Sequence, residues 1–436
     1  MSATPAVGLR YRGRIRDLEA PAYRQLCDRS TSSDPVIRDR VAAIITDVRA
    51  RGDAALRDLA QRYDGASLES LEIPRPHWAR ALDNLGSDLR RAMERSARNI
   101  ACVHAASRPV PFECEPEPGI TVGRRPDPLG RVGVYAPGGS AAYPSSVLMG
   151  AVPARAAGVG EIVLCSPARD TGPSPLVLAA AAIAQVDRVF AAGGAGAIAA
   201  MAYGTESIPR VDRIVGPGNA YVAEAKLQVT GAVAIDTPAG PSELLVLADD
   251  TCDPSAVAME LVAQAEHDPR ACVVAVAVGD DTTCRLTDAL CAIVPAQPRR
   301  DIVASAFARH GGVLSAASID EAIAFANDYA PEHLLLALAE PDAALARIRN
   351  AGTVFVGGSA SVPFGDYMTG ANHVLPTGGL ARSYSGLSPL DFVRWSTYQR
   401  VSPNAAAALA EDVAVFARGE GLPGHAAAAL GAGGLT

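Results

Sequence analysis

The sequence has few aromatic residues, little lysine and no long apolar run, and each shortage argues against a class of protein. Aromatic residues make up 5% of the 436 residues although hydrophobic residues make up 49%. The core must therefore consist of Ala, Val, Leu and Ile, which is typical of parallel sheets covered by helices. Arginine replaces most lysine without forming basic runs, and the formal net charge is -8. This balance argues against nucleic acid as a partner, because phosphate binding needs clustered positive charge.

Cysteine motifs and membrane signals are also missing. The eight cysteines show no C-x-x-C pair or other zinc spacing, so we expect reduced cysteines in a cytoplasmic protein. No apolar stretch reaches the roughly 20 residues that a bilayer-spanning helix needs, and the chain opens without an apolar leader. Cys165 follows an apolar run and is a candidate nucleophile, but a buried core thiol is the better interpretation.

The length and the alternation of strand and helix patterns predict an α/β fold with two Rossmann-like parallel-sheet domains, one inserted in the other. Helical arms are expected at both ends. The expected parts are an N-terminal arm at 1–34, a discontinuous first α/β domain at 35–125 and 241–378, an inserted domain at 126–240 and a C-terminal helical arm at 379–436. Three amphipathic helices are predicted between 35 and 106, with Gly52 as a stop signal. We expect them to pack with the sheet of the first domain.

Within the expected inserted domain, strand, glycine turn and helix alternate three times, which is the pattern of parallel βαβ units. The turns are Pro137-Gly138-Gly139-Ser140, Gly193-Gly194-Ala195-Gly196 and Gly216-Pro217-Gly218-Asn219. They should open at one edge of one sheet, where an open parallel sheet binds its ligand. Gly194 to Ala199 also fits the G-x-G-x-x-[GA] dinucleotide fingerprint, a weak match because Asp212 only approximates the acidic ribose partner. We infer a nucleotide site spread over several turns.

Two short segments carry candidate ligands and bases. Gln264 and His267 are three residues apart at the end of a predicted helix, so they share a face from which both can bind a metal. The alternative is a histidine attracted by the dipole of the helix C-terminus. Pro331 is expected in the first turn of a helix, which would favour carboxylate Glu332 and neutral His333. These are the forms of two general bases, and the alternative is an N-terminal glutamate beside an exposed histidine.

The last third of the chain adds four polar candidates. Asp366 and His373 lie seven residues apart in a glycine-framed segment, and Asp366 suits a hard or borderline cation. His425 follows a glycine and precedes an alanine run, where a solvated tail histidine is the ordinary interpretation. Glu420 is a second polar group on that segment.

Six motifs together resemble the histidinol dehydrogenase family in order and spacing from about residue 40 to the end. They are Val134-Tyr135-Ala136-Pro137-Gly138-Gly139, Gly216-Pro217-Gly218-Asn219, Ala239-Gly240-Pro241-Ser242-Glu243, Ala263-Gln264-Ala265-Glu266-His267, Pro331-Glu332-His333 and the segment 365–377. The resemblance implies two oxidations of L-histidinol, through L-histidinaldehyde to L-histidine, at the end of histidine biosynthesis. It also implies two NAD per reaction, one zinc ion per subunit and a homodimer whose tail reaches into the neighbouring subunit.

The resemblance further implies roles for individual residues. The implied zinc ligands are Gln264, His267, Asp366 and His425, and they also contact the substrate. Further implied substrate contacts are Ser242, His333, His373 and Glu420, and the implied cofactor positions are Tyr135, Gly196 and Asn219. Our hypothesis is that His333 removes the alcohol proton and that Glu332 activates the water that hydrates the aldehyde.

One position departs from the family pattern, because Gly196 stands where the family usually has a glutamine that contacts the cofactor. The departure leaves two alternatives open. One is a related enzyme that oxidises another small polar alcohol, and the other is a catalytically silent zinc-binding dimer. The presence of both Glu332 and His333 argues against the silent protein.

Overall fold

The computed structural model describes residues 7–29, 34–138, 142–170, 172–238 and 240–434. The expected turn residues Gly139 and Ser140 and the motif residue Ala239 lie outside the described residues. Within these ranges, no helix combines the length and the hydropathy needed to cross a membrane.

Strands and helices alternate along most of the chain. The strands are β1 (Tyr11–Arg14), β2 (Phe112–Glu117), β3 (Ile120–Pro128), β4 (Arg131–Tyr135), β5 (Glu161–Ser166), β6 (Arg188–Ala191), β7 (Arg213–Val215), β8 (Ala234–Ile235), β9 (Glu243–Ala248), β10 (Cys272–Val278), β11 (Gly312–Ala316), β12 (His333–Ala337), β13 (Thr353–Val356) and β14 (Val393–Val401). The helices are α1 (Ala20–Cys27), α2 (Pro35–Arg51), α3 (Asp53–Leu59), α4 (Arg75–Asp83), α5 (Ser87–Ala106), α6 (Pro144–Ala157), α7 (Pro175–Ile183), α8 (Gly194–Tyr203), α9 (Ala220–Val229), α10 (Pro254–Ala265), α11 (Asp280–Ile293), α12 (Arg300–His310), α13 (Ile319–Tyr329), α14 (Pro341–Leu345), α15 (Val362–Tyr367), α16 (Pro403–Gly419) and α17 (Pro423–Ala432).

The first sheet has six parallel strands in the order β1-β11-β10-β9-β12-β13. Its central strands read as continuous apolar runs, for example Leu244 to Ala248, and those residues are buried. Such runs arise because helices cover both faces of a parallel sheet. The edge strand β1 comes from the N-terminal segment, where we expected only an arm. Tyr11 pairs with Gly312, and the glycine leaves room, since a Cβ there would lie 2.7 Å from the Tyr11 Cβ.

The second sheet has five parallel strands in the order β6-β5-β4-β7-β8. The chain moves outward from β4 through β5 to β6 and then returns to β7 on the other side of β4. This reversal is a topological switch point, the place where open parallel sheets bind their ligands, outside the carboxyl ends of the strands. The prediction that the three glycine turns follow parallel strands of one sheet is therefore confirmed.

The predicted helices between 35 and 106 are present, but they pack on the second sheet and not on the first. One continuous core contains Val41 and Ile100 together with Val132 and Val163, and α2 contacts α8 and α9 while α5 contacts α6. Their apolar faces cover α6 and α8, whose residues are almost all buried. The helices between 35 and 106 thus contribute to the core of the second sheet.

A third, antiparallel sheet has the order β14-β3-β2. It makes the beginning of the C-terminal arm a strand, which the sequence analysis did not predict. The predicted helical end of the arm is confirmed as α16 and α17. These two helices pack on each other through a small cluster of Ala414, Ala417, Ala426 and Leu430, while Phe416 is 72% exposed and Val415 is 66% exposed. The arm therefore offers an uncovered apolar surface.

Candidate active site

Glu332 and His333 lie at the start of a strand, so the expected helix N-terminus was wrong. Helix α13 ends at Tyr329 and Ala330 turns with a φ of 50°, after which His333 is the first residue of β12. The reason is that the following leucines form a strand buried between β9 and β13, and a buried apolar run of this length is ambiguous between strand and helix. No helix dipole acts on the pair in the way we expected.

The main chain of Glu243 holds both side chains of the pair. The Glu243 N–H donates to the Glu332 carboxylate at 2.7 Å, and the His333 Nδ1–H donates to the Glu243 carbonyl oxygen at 2.9 Å. Because a carbonyl only accepts, this contact assigns the proton of neutral His333 to Nδ1. The other nitrogen, Nε2, is buried without a hydrogen-bond partner among the described residues and lies 3.6 Å from an Asp366 oxygen. In its neutral form, His333 therefore presents an unshared electron pair on Nε2 to the site.

The electrostatics of the pair also differ from the expectation. Burial by itself lowers the pKa of His333, but the carboxylates of Glu332 and Asp366 outweigh it and raise the pKa to about 10. Burial raises the pKa of Glu332, and the neighbouring His333 offsets this only in part. In the protein without bound ligands, the two carboxylates thus favour the imidazolium form of His333, whereas we had expected the neutral ring.

A buried ion pair supports Glu243 from behind. The Arg29 guanidinium donates to both Glu243 carboxylate oxygens, at 2.9 and 3.0 Å, and to the Tyr329 carbonyl oxygen at 2.7 Å. Its plane also lies over the Tyr329 ring, 3.5 Å from the ring centre. The Gly378 N–H donates to the same carboxylate at 2.8 Å. Glu243 is therefore held by its side chain while its main chain holds the two candidate bases.

Of the four implied metal ligands, Asp366 lies close to His333 and His267 lies near Asp366. Gln264 is buried at the end of α10 and makes no side-chain hydrogen bond within the described residues. Burial raises the pKa of Asp366, but the nearby His333, His373 and His267 lower it below its ordinary value. The Val362 N–H donates to Glu260 at 3.0 Å, which joins α15 to α10.

These side chains fit zinc in their chemistry but are too few on one chain. An imidazole, a carboxylate and an amide oxygen are donors that a borderline cation accepts, and the buried Gln264 amide lacks another partner. Within the described ranges, no group of three His, Cys, Asp or Glu side chains is placed to hold a metal. A four-coordinate site would need a further ligand from outside this group.

The remaining implied substrate residues fall into two groups. His373 is close to Asp366, because its Nδ1–H donates to the Asp366 carbonyl oxygen at 3.1 Å. Ser242 directly precedes Glu243 at the start of β9. Glu420 and His425 are exposed on the C-terminal arm, and neither side chain has a hydrogen bond to the site within the described residues. Within the described residues, His373 and Ser242 thus lie near the candidate bases, whereas Glu420 and His425 do not contact them.

The cofactor positions lie at the switch point of the second sheet. Tyr135 ends β4 and is buried, and its hydroxyl accepts the Gly194 N–H at 3.1 Å. That amide is therefore occupied, which weakens the dinucleotide fingerprint at this turn. Gly216 follows β7 with a φ of 119°, and a Cβ there would lie 2.1 Å from the Tyr135 carbonyl oxygen. Asn219 is exposed and caps α9 by accepting the amide hydrogen of Tyr221 at 3.0 Å.

Gly196 faces another helix. It lies in the first turn of α8, and a Cβ on it would lie 2.7 Å from Leu59 Cδ1 and 3.3 Å from Leu56 Cδ2. The two leucines of α3 thus occupy the space into which a side chain at position 196 would extend. Local packing gives a physical reason for the departure from glutamine.

Sequence reasoning missed the residues that support the site. Arg29 and Glu243 form one buried ion pair and Lys226 and Asp236 form another. The only available signal was that charged residues are seldom buried unless paired, and the sequence does not tell which charges are buried. Cys165, left open as a nucleophile, is fully buried in the second-sheet core, as the alternative interpretation held.

Two parallel sheets, glycine turns at a topological switch point and a buried carboxylate–imidazole pair are the features of an α/β dehydrogenase. The family model described as histidinol dehydrogenase matches residues 27–430. The chain belongs to the histidinol dehydrogenase family.

Individual relatives span nearly the same length. The chain is 43% identical to a histidinol dehydrogenase from Methanosarcina mazei over 95% of both chains. It is 47% identical to one from Xanthomonas euvesicatoria over 89% of this chain and 91% of that one. The crystal structure of histidinol dehydrogenase from Elizabethkingia anophelis matches with a TM-score of 0.92 at 33% identity, covering 98% of each chain.

Proposed function

We propose that this protein oxidises L-histidinol to L-histidine in two successive steps, with L-histidinaldehyde between them, reducing one NAD in each step and requiring one zinc ion per subunit. The observation that carries the proposal is the unpartnered Nε2 of His333, which lies beside Asp366. A buried nitrogen with a free electron pair next to candidate metal ligands is suited to accept a proton from a bound alcohol.

The proposal divides the proton chemistry between two side chains. In the first oxidation, the alcohol loses a hydride from carbon to NAD and a proton from oxygen to His333 Nε2. Water then adds to the aldehyde: Glu332 accepts a proton from that water, and His333 returns its proton to the former carbonyl oxygen, which gives the hydrate. In the second oxidation, the hydrate loses a hydride to a second NAD and a proton from oxygen to the neutral His333 Nε2, which yields the carboxylic acid. Each oxidation thus removes two electrons and one hydroxyl proton.

His333 must be neutral to act as a base, although Glu332 and Asp366 raise its pKa to about 10. When bound, NAD would accept the hydrides, and zinc would supply a Lewis acid and a template for the histidinol imidazole and amine. Gln264, His267, Asp366 and His425 would hold the metal. An Asp366 carboxylate engaged by a cation stabilises the imidazolium less, which lowers the pKa of His333 toward a useful range.

Turnover of purified protein with L-histidinol, NAD and zinc tests the reaction. We expect two reduced cofactors per alcohol, measured by absorbance, and loss of activity with a chelator followed by recovery with zinc. Turnover of another small polar alcohol but not histidinol would favour the related-enzyme alternative. Absence of turnover with every alcohol would favour the silent zinc-binding dimer.

Two variants test the assignment of the bases. His333→Asn should slow histidinol oxidation by roughly 10²–10⁴-fold while leaving zinc content unchanged. Glu332→Gln should slow oxidation of supplied L-histidinaldehyde more than the alcohol step. Intact aldehyde oxidation in Glu332→Gln would remove Glu332 from its proposed role.

We also propose a homodimer in which Glu420 and His425 complete the site of the neighbouring subunit. Their exposure on an arm with uncovered Val415 and Phe416 supports this arrangement. Mixed dimers of His425→Ala and His333→Asn subunits provide a test, because each parent is inactive. A shared site leaves one intact site per mixed dimer and restores activity, whereas a site built within one chain leaves none. We place the enzyme in the cytoplasm, and its eight free cysteines fit a reducing compartment.

A further inference from the structure

Lys226 is the one lysine in a chain whose 39 basic residues are otherwise all arginine. It is also buried, with its side chain 3% exposed. Lysine is almost never fully buried unless its charge is paired. A composition that uses arginine everywhere else therefore makes an exception at a buried position, which points to a local requirement for an ammonium group.

The partners of Lys226 show what that requirement is. Its ammonium donates to the Gly216 carbonyl oxygen at 2.6 Å and forms an ion pair with Asp236 Oδ1. The other oxygen of Asp236 accepts the Gly216 N–H at 2.7 Å. Both main-chain polar groups of one glycine are thus bound by the two members of one ion pair.

An arginine cannot make the same set of contacts in this space. An ammonium is compact and can be satisfied by two or three oxygens, whereas a planar guanidinium carries five N–H donors in a fixed fork. At 3% exposure the additional donors would be buried without acceptors, and leaving them unpaired is costly.

The glycine held in this way occupies a special place in the fold. Gly216 opens the turn 216–219 at the switch point, where its φ of 119° and its closeness to Tyr135 admit no side chain. Lys226 reaches it from α9, and Asp236 reaches it from the segment that follows β8. Helix α9 and the segment after β8 are therefore both bonded to Gly216, the first residue of the turn.

We propose that Lys226 and Asp236 are positioning residues for the cofactor. They hold the turn 216–219 in the conformation against which NAD binds, and they do so through the backbone of Gly216. This inference rests on the proposed NAD-dependent reaction. A purely structural ion pair would stabilise the fold, whereas a positioning pair also sets the affinity for NAD.

The central test replaces the pair by apolar residues of similar size in Lys226→Met/Asp236→Leu. Such replacements of buried ion pairs are often neutral for folding, so the variant should keep its melting temperature within a few degrees. The freed Gly216 groups should raise the Kd for NAD by about tenfold or more in calorimetric titrations. The KM for histidinol, the zinc content and kcat at saturating NAD should stay close to wild type.

Two single variants separate charge from geometry. Asp236→Asn offers one acceptor oxygen for two donors, and Lys226→Arg keeps the charge but changes its shape. Both should weaken NAD binding, and they keep the proposal testable if the double variant does not fold. A wild-type Kd for NAD in a folded Lys226→Arg protein would contradict the argument for the ammonium.

Arg213→Met is the matched control. Arg213 starts β7, the strand that leads to the turn, and forms an ion pair with Asp391 at 2.9 Å, so the control removes an ion pair at the opposite end of the same strand. Its Kd for NAD should equal that of wild type. If wild type binds NAD and the double variant binds it equally well, the positioning role is refuted. If wild-type protein does not bind NAD, the proposed function itself fails.

The single lysine permits a second, independent readout. Amine acetylation of native protein followed by peptide mass spectrometry should modify the α-amino group but not Lys226, and Asp236→Asn should expose Lys226 to the reagent. If Lys226 in the native protein were acetylated as fast as the α-amino group, this would contradict its buried position against Gly216.

Discussion

The two parallel sheets build their parts of the site at opposite edges. On the first sheet, Glu243 and His333 are the first residues of β9 and β12, so the candidate bases lie at the amino ends of the strands. On the second sheet, Tyr135 and Gly216 end or follow their strands, so the proposed cofactor positions lie at the carboxyl ends. The rule that open parallel sheets bind ligands at the carboxyl ends of their strands therefore locates only the second half of the candidate site.

The two edges also use different physical devices. The first is held by a long-range ion pair, because Arg29 and Glu243 are 214 residues apart. The second is held by a local pair, since Lys226 and Asp236 are 10 residues apart within one unit. The proton chemistry needs charged groups that are buried and paired, whereas cofactor binding needs a backbone that a ligand can approach closely. This difference predicts that substitutions at the first edge lower kcat and stability, whereas substitutions at the second edge weaken NAD binding.

The largest expected effect is at Arg29, which supports the first edge. Arg29→Met leaves the Glu243 carboxylate buried without its guanidinium, and breaking a buried pair in this way costs about 3–5 kcal/mol. We expect that loss in urea denaturation, together with a lower kcat and an unchanged Kd for NAD. Arg14→Met is the control, because Arg14 and its partner Asp280 are exposed and such pairs contribute at most about 1 kcal/mol. Equal losses in the two variants would contradict the comparison.

Gly216→Ala should damage the second edge and spare the first. Its positive φ costs an L residue about 1–3 kcal/mol, and the Cβ would lie 2.1 Å from the Tyr135 carbonyl oxygen. We therefore expect the Kd for NAD to rise at least about tenfold, with zinc content and histidinol binding retained. Gly231→Ala is the control, since a Cβ there meets nothing within 4 Å. Retained NAD affinity in Gly216→Ala would place the cofactor elsewhere.

Protonation of His104 at acid pH should lower the free energy of unfolding of the part of the chain that surrounds the second sheet. His104 lies in α5 with both ring nitrogens buried and unpartnered within the described residues, and burial lowers its pKa below 6.5. Its neutral form is therefore favoured in the folded state. The stability that this contributes is present above about pH 6.5 and is lost as the pH falls toward the folded-state pKa, by at most about 1.4 kcal/mol per pH unit.

His104→Leu should therefore lose less stability than wild type between pH 7.5 and pH 5. Denaturation curves at several pH values measure this difference in slope, independently of any constant offset that the substitution causes. His77→Leu, an exposed site on α4, is the control. A slope that is unchanged in His104→Leu would show that His104 is not the titrating group.

The smallest expected effect is at Gly196. Gly196→Gln alone should leave the Kd for NAD nearly unchanged, because Leu59 occupies the path of the new side chain. Combined with Leu59→Ala, the glutamine has room, and one neutral hydrogen bond should tighten NAD by about fivefold at most. Leu59→Ala alone is the control. A tighter single variant would mean that Leu59 moves aside without cost.

Several elements of this chain were predictable because local pattern is sufficient for them. The helix 87–106, the strand before each glycine turn and the helix after Asn219 appear as expected. His267, Asp366 and His373 lie near one another, and motif order had indicated that they belong to one site. The segment at Pro331 was not predictable, because an apolar run of five residues fits a strand or a helix equally well.

The sequence by itself determined the alternation of strands and helices, the family, and the residue types able to bind metal and move protons. These follow from short-range periodicity and from motifs whose members are close along the chain. The tertiary structure decided that the N-terminal helices cover the second sheet, that β1 joins the first, and that Arg29 reaches Glu243. It also decided that Lys226 is buried on Gly216. Burial and charge pairing arise from contacts between distant segments, and each segment alone carries no record of its partner.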